Sequence, residues 1–156
     1  MKSAILATVL LAAAPPIASG SGKADRIEGV WLAKVTLTNC ATGEPLPFPG
    51  ATFDAMGMFA EGGAFHDTNV MPSLTRSATF GTWQRVRDRV YRFAFRHFNF
   101  DSTGTLPTGS TVVRHRVVLA PDGKSYRSQG TAEFYDVSGI RMLPDGCSKS
   151  TATRFR

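Results

Sequence analysis

Residues 90–100 read Val-Tyr-Arg-Phe-Ala-Phe-Arg-His-Phe-Asn-Phe, and this stretch has the clearest structural signal in the chain. From Tyr91 to His97, aromatic side chains at odd positions alternate with arginine or alanine at even positions. Successive side chains of a β-strand point to opposite faces. The stretch is therefore predicted to form a strand with an aromatic inner face and a basic outer face.

The residues that follow predict a hairpin that continues the same sheet. Pro121-Asp122-Gly123 is a strong turn signal, because glycine adopts positive φ without steric cost. Extending the pairing back across the loop at 101–109 places Phe95 near His115 and His97 near Val113. The Pro121-Asp122-Gly123 turn also sets the register of the two strands that it joins. On one face of this hairpin, Val113, His115 and Val117 lie opposite the small residues Ala132, Gly130 and Ser128.

Alternation of this kind, broken by closely spaced turn residues, continues through the rest of the chain. Helical periodicity is weak, and short regular strands with turn signals between them are typical of all-β folds. Closing about eight such strands leaves no exposed edge, so we predict an all-β, antiparallel, up-and-down β-barrel. The predicted strands cover residues 30–39, 51–60, 64–70, 77–86, 90–100, 111–120, 125–137 and 147–155.

The predicted interior of the barrel gives the candidate site. A barrel of this size has just enough internal space for side chains or for one small ligand. Small residues on the inner faces leave room either for a cavity or for large aromatic side chains, and we expect a partly filled interior. The expected ligand wall consists of Phe53, Phe59, Phe93, Phe95 and Val117, with Tyr91, His97 and His115 as polar contacts.

Residues 1–20 have the features of an export signal. Lys2 precedes an apolar run at 4–14, and Ala18-Ser19-Gly20 supplies small residues for cleavage. The apolar run is too short to span a bilayer as a helix. Its removal leaves about 135 residues, which is enough for one hydrophobic core. We therefore expect a periplasmic or secreted protein with a single domain at 27–156.

The cysteine content fits that location. Cys40 and Cys147 are the two cysteines of the chain, and both follow the predicted signal. A pair of cysteines in an exported chain predicts one disulfide bond, with two free buried thiols as the alternative. The absence of a Cys-x-x-Cys pair argues against a redox role.

The formal charge of +6 comes mostly from arginines placed singly among strand residues. This spacing predicts a solvated outer wall that could also contact an anionic surface. A stacking platform for nucleic acid would need exposed aromatics among the arginines, and only Trp83 and Tyr135 are expected at the surface. We therefore expect no nucleic-acid partner.

The sequence also resembles a known family at both ends of the predicted barrel. Gly29-Val30-Trp31 opens the first strand and Arg154 lies in the last, with Arg156 as a rival for the same role. This pattern is similar to that of lipocalins and other calycins. Gly81-Thr82-Trp83 and Phe98-Asn99-Phe100-Asp101 also resemble exported bacterial proteins with lipocalin-like barrels. The resemblance implies a barrel in which an arginine stacks on a tryptophan at one end.

Motifs for catalysis, metal binding and cofactor binding are lacking in the sequence. It has no Gly-x-Ser-x-Gly turn, no glycine loop before a helix and no histidine pair at zinc spacing. The leading hypothesis is an exported barrel that binds a small apolar or amphipathic molecule. The alternatives are a cyclase- or isomerase-type enzyme that uses an interior histidine, and a non-catalytic structural protein associated with the cell envelope.

Overall fold

Buried and exposed side chains alternate along much of β2, β6 and the second half of β8, and the strands close into a barrel. The computed structural model describes residues 26–155. Each strand pairs antiparallel with the next, and the last pairs with the first. The expected eight-stranded antiparallel barrel is confirmed, whereas the predicted signal lies outside the described residues. The strands are β1 Gly29–Thr38, β2 Thr52–Phe59, β3 Ala64–Asn69, β4 Phe80–Arg87, β5 Val90–Phe100, β6 Pro107–Leu119, β7 Ser125–Tyr135 and β8 Arg141–Arg154.

The pairing of β6 with β7 follows the register predicted from the Pro121-Asp122-Gly123 turn, with His115 opposite Gly130. The pairing of β5 with β6 was predicted wrongly by two residues: Phe93, not Phe95, lies opposite His115. The cause is a longer β6, which begins at Pro107, and a register shift at Asn99 and Phe100. A shift of two residues keeps every side chain on its expected face.

The last strand also begins earlier than predicted. A loop was expected up to Gly146, but β8 starts at Arg141 and passes through Pro144. Proline cannot donate a hydrogen bond to a ladder, so it is tolerated where pairing is interrupted. The β7–β8 ladder is irregular between Ala132 and Phe134, opposite the segment that contains Pro144.

One end of the barrel is closed by a packed core. Trp31 is fully buried there, and its indole Nε1 donates a hydrogen bond of 2.8 Å to the carbonyl of Ile27. The guanidinium of Arg154 lies 4.3 Å from the Trp31 ring centroid, which is the contact that the family resemblance implies. Arg156, the rival for this role, lies outside the described residues. The other buried members of the core are Ile27, Phe59, Phe65, Tyr91, Phe93, Val117, Leu119, Tyr126 and Ala152.

The longer connections meet at the opposite end of the barrel. They include residues 39–51 and residues 70–79, the second of which contains a short 3-10 helix at Ser73–Thr75. The predicted disulfide between Cys40 and Cys147 is present and joins the end of β1 to β8. One end is thus filled with apolar side chains, and the other is bordered by loops.

Candidate ligand cavity

A cavity of about 370 Å³ occupies the barrel interior beside the packed core. Its volume lies within the range of small-molecule sites in proteins. Small residues on β1, β2 and β7, such as Ala33, Ala55 and Ala132, belong to its lining. The interior is thus partly filled, with a packed core at one end and a cavity beside it. The apolar part of the lining consists of Ala33, Val35, Leu37, Phe53, Ala55, Met71, Phe93, Phe95, Val113, Ala132 and Phe134.

Stacked aromatic rings form one wall of the cavity. The rings of Phe65 and Phe93 lie 4.4 Å apart and are inclined by 11°, and Phe95 stacks 6.0 Å from Phe93. Phe93 and Phe95 are neighbours on the inner face of β5, two residues apart, so their rings follow one another along the strand. Such a row presents a continuous apolar surface to the cavity.

His115 is held in the wall by a network of serines. Its Nδ1 lies 2.8 Å from Ser128 Oγ and its Nε2 lies 2.9 Å from Ser148 Oγ. A Cβ atom at Gly130 would lie 2.5 Å from the His115 ring, so glycine at this position leaves room for the imidazole. Burial lowers the pKa of His115 to about 4. His115 is therefore a neutral, fully hydrogen-bonded group at pH 7.

His97 has a different environment further along β5. Its ring stacks at 6.2 Å on Phe95, and its Nδ1 is buried without a hydrogen-bond partner among the described residues. Burial, and then the nearby Arg76 cation, lower the pKa of His97 to about 4, against the opposing hydrogen bond with Asn99. The ring is therefore also neutral at pH 7.

An ion pair lies inside the cavity. Arg76 Nη2 is 2.8 Å from Asp67 Oδ1, and each side chain is only 12% exposed. Arg76 also donates to Thr79 Oγ1. Burial raises the pKa of the Asp67 carboxyl, and the hydrogen bond from Arg76 acts in the opposite direction. The cavity thus combines an apolar aromatic wall with neutral polar side chains and, among the described residues, one charged pair.

The structure brings most of the predicted ligand residues to the cavity. Phe53, Phe93, Phe95, His97 and His115 all belong to its lining. The others that were expected there, Tyr91, Val117 and Phe59, are absent from the lining and lie in the packed core at the closed end. Alternation identified their inward direction correctly, but their depth along the barrel depends on how the strands are staggered.

The ion pair between Asp67 and Arg76 was not predicted from the sequence. Asp67 lies on β3 and Arg76 on the connection to β4, where no alternation identifies the inward side. The only available signal was the inward position of odd-numbered residues on β3, where Phe65 is buried and Asp67 follows two residues later. An acidic residue on an apolar face requires a partner, and an arginine nine residues away can supply it.

The outer wall is basic, as predicted. Arg92 and Arg116 lie directly opposite each other on β5 and β6 and are both exposed. Trp83 was expected at the surface, but it is half-buried and donates a 2.8 Å hydrogen bond to the Ala60 carbonyl. Tyr135 is also half-buried and donates to Glu133. The expectation that only these two aromatic residues would be exposed was wrong: Phe80 and Phe98 are 66% and 56% exposed, and the Arg96 guanidinium lies 5.8 Å from the Phe98 ring centroid.

The fold and the cavity together define a class, namely closed antiparallel eight-stranded barrels with an internal cavity, and this architecture is consistent with a lipocalin-like fold. Comparisons with protein-family models, with curated proteins and with solved structures found no match for this chain. Within residues 26–155, no three His, Cys, Asp or Glu side chains are grouped so as to hold a metal ion. The same part of the chain has no helix long and apolar enough to cross a membrane.

Proposed function

We propose that this chain is an exported, lipocalin-like barrel that binds a small apolar or amphipathic molecule in its interior. The observation that supports this function best is the cavity of about 370 Å³ beside the stacked Phe93 and Phe95 rings. Burying apolar ligand surface against such a wall is favourable at about 25 cal/mol per Å². Export is supported by the Cys40–Cys147 disulfide, since such bonds persist in oxidising compartments.

The binding function is preferred over catalysis by an interior histidine. A general base needs a lone pair that can reach the substrate and a pKa near the working pH. His115 has both ring nitrogens within hydrogen-bonding distance of serines, and burial lowers its pKa to about 4. These contacts suit a residue that orders the wall of the barrel. His97 does have an unpartnered Nδ1, but burial and then the nearby Arg76 cation lower its pKa to about 4, well below the working pH of a general base near neutrality.

To test this function, one valine-to-tryptophan variant fills the cavity, and a second valine-to-tryptophan variant on the outer surface of the same strand serves as the control. Val113→Trp on β6 places an indole in the lining, whereas Val118→Trp puts it on the exposed side of the same strand. Binding of 1-decanol, decanoate and geraniol is measured by native mass spectrometry and calorimetry. We expect wild type and Val118→Trp to bind at least one of these probes, and Val113→Trp to bind it at least tenfold more weakly.

Thermal unfolding checks that both variants are folded, because overpacking an interior costs about 1–3 kcal/mol. The proposed function is wrong if wild type binds none of the three probes. It is also wrong if a folded Val113→Trp protein binds them as tightly as wild type does.

A further inference from the structure

The charges inside the cavity cancel. Asp67 and Arg76 form a 2.8 Å ion pair, and among the described residues that line the cavity they are the only Asp, Glu, Lys or Arg side chains. The two histidines of the lining, His97 and His115, are neutral at pH 7. A ligand in this cavity therefore meets a positive and a negative group side by side, with no net charge to neutralise its own.

The ion pair still has unused hydrogen-bonding capacity. Arg76 uses Nη2 for Asp67 Oδ1 and for Thr79 Oγ1. Among the hydrogen bonds of residues 26–155, none involves Nη1 or Nε of Arg76, and none involves Oδ2 of Asp67. The pair can thus offer both N–H donors and a carboxylate acceptor to the polar end of a ligand.

Building on the proposed function, we propose that the cavity selects an amphipathic molecule whose polar end is an uncharged hydroxyl, and that Asp67 is the residue that rejects carboxylates. A hydroxyl donates one hydrogen bond and accepts others, so it matches both members of the pair. A carboxylate only accepts, and it would bring a second negative charge next to Asp67 where little water screens it. Arg76 alone would attract such an anion, but its charge is already neutralised.

The size of the cavity limits the apolar part of this molecule. A volume of about 370 Å³ corresponds to about twelve water molecules at roughly 30 Å³ each. The volume of a linear alcohol with about ten carbons is of this order. The aromatic wall of Phe93 and Phe95 would cover its chain, and the ion pair would meet its hydroxyl.

The experiment compares 1-decanol with decanoate by calorimetry at pH 7.5. We expect wild type to bind 1-decanol at least tenfold more tightly. In Asp67→Asn, Arg76 keeps its charge without a neutralising carboxylate, so the preference should shift by at least tenfold towards decanoate. Asp54→Asn is the matched control: Asp54 pairs with Lys34 on the outer surface, where its side chain is 66% exposed, and the ratio should stay as in wild type.

A second measurement needs no variant and so stands even if Asp67→Asn fails to fold. Octanamide and octanoate have nearly the same shape but differ in charge, and wild type should bind the amide at least tenfold more tightly. Equal or tighter binding of decanoate or octanoate by wild type overturns this inference and leaves the proposed function standing. The inference is also overturned, with the proposed function left standing, if a folded Asp67→Asn protein shows the same ratio of 1-decanol to decanoate affinity as Asp54→Asn. If wild type binds none of these four probes and does not bind geraniol, the inference and the proposed function both fail.

Discussion

At the residue scale, His115 is held neutral inside a wall of hydroxyl groups. Its Nδ1 and Nε2 lie within hydrogen-bonding distance of the hydroxyls of Ser128 and Ser148. The Ser128 Oγ in turn lies 2.6 Å from the Ser150 Oγ. A buried network whose polar atoms are satisfied rigidifies the surrounding strands, whereas an unsatisfied one costs stability. The ring therefore links β6 to β7 and β8 through its side chain as well as through the backbone ladders.

The shifted pKa of His115 predicts how stability depends on pH. The folded protein holds this pKa at about 4, below the ordinary value of 6.5. As the pH falls from 6.5 towards 4, the unfolded chain takes up a proton at His115 that the folded protein does not, so the stability contribution present above pH 6.5 is lost. For His115 alone the expected loss between pH 7 and pH 4 is about 3 kcal/mol.

The measurement is the free energy of unfolding in urea for wild type and His115→Gln, at several values between pH 7 and pH 4. Both proteins retain His97, so the difference between their pH slopes isolates His115. Wild type should lose more stability than the variant as the solution is acidified. Parallel curves for the two proteins would show that the imidazole is already protonated, or exposed, in the folded state.

At the scale of elements, the first and last strands are held together at the closed end by Arg154. Besides stacking on Trp31, its guanidinium donates to the Gly123 carbonyl at 2.6 Å and to the Glu28 carbonyl at 2.7 Å. Gly29 has a positive φ of 126°, and a Cβ there would lie 2.9 Å from Arg154 Nη1. Gly29, two residues before Trp31, can adopt this φ without steric cost and also leaves space for the Arg154 guanidinium.

We expect Arg154→Met to destabilise the barrel by about 3 kcal/mol, because it removes a cation–π contact and charged hydrogen bonds to carbonyl groups. Arg127→Met is the matched control, since Arg127 is exposed on β7 and forms no ion pair with a described residue; its effect should stay within about 0.5 kcal/mol. Urea unfolding followed by tryptophan fluorescence measures both. Similar losses for the two variants would contradict the role given to Arg154.

At the scale of the whole molecule, the disulfide links the chain just after β1 to β8, the two strands whose pairing closes the barrel. Cys40 and Cys147 are separated by 107 residues along the chain, while their Cα atoms lie 5.2 Å apart. Linking residues so far apart restricts the unfolded chain, and loop-entropy models assign about 4–5 kcal/mol to a link of this length.

Replacing both cysteines by serine should therefore lower the free energy of unfolding by about 4 kcal/mol, measured by urea denaturation. Because β1 and β8 remain paired through their backbone ladder, the variant should still form the barrel and show the same β-sheet circular dichroism. Reduction of the wild-type disulfide should reproduce the loss. An unchanged urea midpoint in both cases would mean that the link adds nothing to the stability of the closed barrel.

Much of the fold was predictable because strand alternation is a local property. The inward direction of Phe93, Phe95 and His97 follows from neighbouring residues alone, and a register error of two residues left it unchanged. The β6–β7 register followed from a turn of defined chemistry. The starts of β6 and β8 were predicted wrongly, since Pro107 and Pro144 suggest loops unless the neighbouring strand is known.

From the sequence alone followed an all-β barrel, the inward face of β5, a disulfide as the preferred state of the two cysteines and, through the family resemblance, an arginine of the last strand on Trp31. Only the tertiary structure decided that Tyr91 and Val117 pack beneath the cavity while Phe53 lines it, because depth depends on the stagger of all eight strands. Only the tertiary structure showed that the connection after β3 brings Arg76 back onto Asp67 inside the barrel. That contact depends on the path of residues 70–79, which strand alternation does not encode.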